Sequence, residues 1–140
     1  MLDRYDLRRF VDAQDAVYDR ALGELRRGSK TGHWMWFVFP QVAGLGFSAM
    51  SQRYGVGSLD EAHEYLAHPV LGARLRESAA AVLAVDGRSA EDIFGGIDAV
   101  KLRSSMTLFH RADPSEPVFR SVLDKYFAGE PDPATDQKLS

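Results

Sequence analysis

The sequence predicts a single, mostly α-helical domain with little or no β-structure. Three observations carry that expectation. Apolar residues recur at three- and four-residue steps up to Leu25. A serine followed three residues on by an acid, the signature of a helix start, stands at Ser58 and again at Ser89. Pro69 and Pro117 each precede an apolar periodic run, where a proline suits the first helical position.

Taken in order, Leu7, Phe10, Val11, Val17, Tyr18, Ala21, Leu22 and Leu25 form the first helical stripe. Asp3 can cap its start and Gly28 can end it, with a break near Ala13 to Asp15. Gln14 falls on the apolar stripe, so it is either hydrogen-bonded inside the core or turned to a polar cavity. "HWMWFVFPQ", His33 to Gln41, is too apolar for periodicity to separate helix from strand. Its helical surroundings favour a short buried helix ended by Pro40. "GLGFSAMSQRYGVG" follows as a loop with about one helical turn. From Ser58 a helix runs to Ala67, and from Pro69 another carries Val70, Leu71, Leu75, Ala79 and Leu83 inward before Gly87. "SAED" starts a short helix ending near Gly95, and a further helix covers Ile97 to His110. Pro117 opens the last, with Val118, Phe119, Val122, Leu123, Tyr126 and Phe127 on one side. Residues 1–130 are read as the helical domain and residues 131–140 as a polar, flexible tail.

A chain of 140 residues fits one domain. At that size folding buries roughly two-thirds of the unfolded surface, enough for an unaided core. The absence of cysteine removes disulfides, thiolate metal sites and cysteine nucleophiles together. No metal or cofactor is expected. The net charge of −3 gives no support to general nucleic-acid binding, which needs a basic surface to displace counterions. No run of 18 apolar residues predicts a membrane span, and the start lacks the apolar core of a signal peptide, so a cytoplasmic location is expected. No partner protein is indicated.

Three short motifs are weak. "GLGFSA" matches a dinucleotide-binding glycine pattern, but Pro40 interrupts the preceding run and the chain beyond is helical, so a turn is the better reading. "HEYLAH" sets its histidines five apart, on different faces of a helix, and His68 suits a hydrogen bond to the inter-helix turn. In "DAVKLRSSMTLF" Lys101 and Ser105 lie one turn apart, but serine–lysine nucleophile pairs run in the opposite order.

The stronger expectation is a ligand-binding face. Asp98, Lys101 and Ser105 share one side of a helix beside Ser104. Lys101, Arg103, Ser104 and Ser105 supply donors suited to phosphate or carboxylate. Ser48, Ser51 and Tyr54 extend an aromatic wall built by the tryptophan string. Trp34 and Trp36 point about 200° apart on a helix, so one belongs in the core. Trp36, deeper in the run, is expected to be buried, and Trp34, beside His33, to face the pocket. His33, Gln41, Ser48 and the Lys101 face are expected to meet around one cavity, with His33 or Asp98 as acid–base candidate. The competing class is a non-enzymatic interaction module, with the aromatics as core or partner patch.

The strings "RFVDAQ", "YDRALGELRRGSKTGHWMWFVFPQVAGLGFS", "YLAHPVLGARL" and "IFGGIDAVKLRSSMTLF" resemble the bacterial domain-of-unknown-function family numbered 1810, from about Leu7 to Phe127. The resemblance implies a mostly helical fold and names no reaction. Some members carry the label calpastatin, which this sequence does not support, since such inhibitors are disordered repeat chains. "DAVKLRSSMTLF" followed by "VFRSVLDKYF" is also similar in layout to the end of NADAR domains, which act on N-glycosidic and ADP-ribose-type substrates. That likeness implies a nucleotide- or ADP-ribose-like anionic ligand, either bound only or bound and hydrolysed, and transfers no catalytic residue.

Overall fold

In the computed structural model, which describes residues 3–140, the Asp3 carboxylate accepts hydrogen bonds from the amides of Leu7 (2.7 Å) and Arg8 (2.9 Å). It thereby caps α1 (Arg8–Asp15). After the expected break, α2 (Tyr18–Arg27) ends at Gly28, whose φ of 71° is the left-handed conformation that glycine adopts without a Cβ clash. The aromatic string supplies only one turn of helix, α3 (Met35–Val38), and Pro40 follows it.

Next come α4 (Ala49–Tyr54), α5 (Leu59–Ala67) and α6 (Leu71–Leu83). The Ser58 hydroxyl accepts from the amide of Glu61, but Glu61 reaches back to Gly57 rather than to Ser58. His68 accepts the amides of Val70 and Leu71 at Nδ1, the turn-holding role its position before Pro69 suggests. Ser89 and Asp92 form a reciprocal capping box at α7 (Ala90–Phe94). Beyond it run α8 (Gly96–Ala112) and α9 (Pro117–Phe127).

The molecule is one mostly helical domain. Among the described residues β-pairing is a single parallel bridge between Val42 and Val56. The long α8 is central: it packs against α5, α7 and α9, burying Leu102, Met106, Leu108 and Phe109. A second layer pairs α6 with α2, α5 and α9. Among the described residues no helix is long and apolar enough to cross a membrane.

The last residues depart from the expected loose tail. They form α10 (Pro133–Leu139), packed on α8, with Thr135 fully buried. Composition misleads here because α10 is held by polar contacts with α8 rather than by an apolar stripe.

Candidate functional site

Two buried polar side chains position the tryptophan string. Glu24 on α2 is buried, and its Oε1 accepts from the amides of Thr31 (2.7 Å) and Gly32 (2.8 Å) and from the Trp34 indole (3.0 Å). Burial alone would raise its pKa, but these hydrogen bonds outweigh it and hold the carboxyl below its ordinary value. Gln14 donates to the Phe37 carbonyl (2.6 Å) and the Tyr65 hydroxyl (3.1 Å), so it belongs to the core and fixes α3 there.

Trp34 is therefore an interior residue, 2% exposed, while Trp36 on α3 is only half-buried. This reverses the expected assignment. Depth in the apolar run does not decide it. The acceptor for an indole N–H does, and Glu24 supplies that acceptor to Trp34.

Trp36 forms one wall of a pocket of about 150 Å³ lined also by Gln41, Leu45, Ser51, Tyr54 and Lys101. Its loop is pinned from both sides. The Ala43 amide donates to Val56 O (2.8 Å) and the Val56 amide to Gln41 O (2.9 Å). Gly55 packs so closely on Ala43 that a Cβ there would sit 2.9 Å from the Ala43 backbone. Behind it the Arg9 guanidinium donates to the carbonyls of Arg53 (2.8 Å) and Gly55 (2.9 Å) and pairs with Glu61 (2.9 Å).

The cationic edge comes from α8. Lys101 sits over the Trp36 ring, 4.0 Å from its centroid, and pairs with Asp98 at 3.1 Å. Asp98 also holds Lys30 at 2.8 Å, so two ammonium groups share one carboxylate. Burial would raise the Asp98 pKa, but the hydrogen bonds from Lys30 and Lys101 hold it below the usual carboxylate range. Asp98 is thus ionised at neutral pH and has no proton to donate as a general acid.

Among the described residues the Trp36 indole N–H, the Gln41 amide and the Ser51 and Tyr54 hydroxyls make no hydrogen bond to protein, although each residue lines the pocket. Gln41 and Lys101 thus meet at one cavity, as expected. Two other expected members do not line it. His33 is exposed beyond the start of α3, and Ser48 is used as the cap of α4, its hydroxyl accepting the Ser51 amide at 3.1 Å.

The rest of the α8 polar face is also committed elsewhere. Arg103 donates to the carbonyls of Glu130 (2.9 Å) and Pro131 (3.0 Å), and Ser104 bonds Thr135 (2.9 Å). Ser105 is fully buried with its hydroxyl unpartnered. Lys101 pairs with Asp98 rather than with Ser105, so the arrangement is not that of a nucleophile and its base. Lys30 was missed by sequence reasoning. Its only signal is a lone cation two residues after the helix-ending Gly28.

The chain matches the model of a family described as a protein of unknown function, DUF1810, over residues 4–139, and it belongs to that family. It is similar to a solved structure described as the conserved hypothetical protein Rv1873 from Mycobacterium tuberculosis. That similarity is 52% in identity, covers 98% of each chain and has a TM-score of 0.97. No curated protein matches. The NADAR layout and the calpastatin label are not among what these matches show.

Proposed function

We propose that this member of the DUF1810 family binds a small anionic ligand in the Trp36–Lys101 pocket. The observation that carries this is the convergence of unpartnered donors on one concavity. Trp36, Gln41, Ser51, Tyr54 and Lys101 all line it, and among the described residues only the Lys101 ammonium, of their side-chain polar groups, has a protein partner. Polar groups so arranged favour a ligand rich in acceptors, such as a carboxylate or phosphate, with Trp36 as the apolar wall. Gln41, Ser51, Tyr54 and Lys101 are the ligand-binding residues of this reading.

The size supports a limit on the ligand. A cavity of about 150 Å³ suits a benzene-sized group. Of a nucleotide- or ADP-ribose-like molecule only a phosphate, a carboxylate or one ring would enter. No imidazole or carboxylic acid lines the pocket, which favours binding over hydrolysis.

Fluorescence titration with inorganic phosphate and with acetate, propionate and butyrate tests the reading. The expected result is a saturable change that disappears in Trp36→Phe and persists in Trp34→Phe. No saturable response to any of these anions would sink it.

A second reading rests on a separate observation. Phe47, Ile97 and Val100 are exposed apolar side chains, 92%, 78% and 62% accessible, as in a protein-interaction module. Sedimentation that is independent of protein concentration, and unaltered by Ile97→Ser, would argue against self-association through them.

A further inference from the structure

We infer that the C-terminal helix α10 belongs to the binding site, presents Lys138 as a second cation at its rim, and so selects small organic dianions over monoanions. This inference rests on the proposed anion pocket. Four contacts fix α10 in place. Arg111 grips Asp136 through two hydrogen bonds (2.8 and 3.0 Å), Ser104 bonds Thr135 (2.9 Å), Thr107 accepts the Asp132 amide (2.8 Å), and Arg103 holds the carbonyls that precede the helix. The helix so held carries Lys138 to Gly44. A Cβ added at Gly44 would lie 3.2 Å from the Lys138 Nζ and 3.3 Å from its Cε. Gly44 has a φ of 91°, so glycine serves twice there, for the turn and for the passage of the lysine. Its neighbours Val42, Leu45 and Gly46 line the pocket.

Lys138 makes no ion pair among the described residues. Lys101, which lines the pocket, shares the single charge of Asp98 with Lys30. The cluster that holds Lys101 at the pocket therefore carries one excess positive charge, and Lys138 adds a second cation beside the pocket's loop. A ligand with one anionic group at Lys101 and another reaching Lys138 answers both, and dicarboxylates are the simplest chemical class with that layout. A lysine in a last helical turn is also favoured by the helix dipole, which would give it a stability role without a ligand role.

Calorimetric titration separates these, using dicarboxylates from malonate to adipate and the monocarboxylates of matching chain length. The expected result is that the best dicarboxylate binds about threefold to fivefold tighter than its matching monocarboxylate, the scale of one exposed charge pair. Lys138→Met should abolish that preference while leaving monocarboxylate affinity and the melting temperature unchanged, and Lys138→Arg should retain it. If monocarboxylates bind but the wild type shows no preference, or Lys138→Met keeps it, the role of α10 is overturned and the anion pocket stands. If neither series binds, both readings fall.

Discussion

The two halves of α8 carry similar polar side chains to different ends. In the C-terminal half, Arg103, Ser104, Thr107 and Arg111 all hold α10 and the segment leading into it. In the N-terminal half, Asp98 and Lys101 pair with each other beside a pocket whose other polar side chains have no protein partner among the described residues. Residue type does not separate the halves. What separates them is whether the hydrogen-bonding capacity is already used within the protein. The same division splits the aromatic string. Trp34 has its N–H bonded to Glu24 and is structural, whereas Trp36 lines the pocket and its N–H has no protein partner among the described residues.

The largest expected effect sharpens the tryptophan contrast. Trp34→Ala removes a buried ring and leaves Glu24 short of a donor, so a loss of about 3–5 kcal/mol is expected in chemical denaturation. Trp36→Ala should cost less than about 2 kcal/mol and remove the anion response instead. Equal destabilisation by the two, with anion binding intact in both, would erase the contrast.

A smaller effect tests the α10 clamp. Thr135→Val keeps the volume of a fully buried side chain but removes its hydrogen bonds to Ser104 and Asp132. The expected cost is about 1–3 kcal/mol, the scale for stranding buried polar partners. Thermal melts should show it with anion affinity within a few-fold of wild type. A wild-type melting temperature would mean that α10 is not held by these contacts.

The pH dependence follows from the two carboxylates. Glu24 and Asp98 both have folded pKa values below their ordinary ones, 4.5 and 3.8. The unfolded chain therefore takes up protons first as pH falls. Their stabilisation is complete above the ordinary values and is lost as pH drops through the lowered folded ones. Urea midpoints measured from neutral to acid pH should decline over that window, and Glu24→Gln should flatten the decline. A slope unchanged in that variant would assign the acid sensitivity to other carboxylates.

Much of the fold was legible because its signals are local. Gly28, Ser89 and Pro117 each stand at the boundary expected of them, and Asp3, five residues before α1, still bonds its first amides. The site was legible only in outline. The strings containing Gln41, Tyr54 and Lys101 did converge, but the partners that decide each role lie far away in sequence. Glu24 claims Trp34 from another helix, and Thr135 and the backbone around Pro131 claim Ser104 and Arg103. For the same reason α10 was read as a loose tail: its apolar content is low, and the arginine that pairs with it sits 25 residues upstream.

The central claim is that α8 divides into a structural half and a ligand-binding half, and Lys101 is its most direct test. Replacing it leaves Asp98 still paired with Lys30, so the fold loses little. Lys101→Met should lower stability by less than about 1 kcal/mol, as for a partly exposed ion pair. It should weaken binding of a monocarboxylate by roughly tenfold to a hundredfold, the worth of one charged hydrogen bond. Parallel melting and calorimetric titration of this one variant would read both. A large drop in melting temperature with unchanged anion affinity would contradict the division and make Lys101 a structural residue like its neighbours on the same helix.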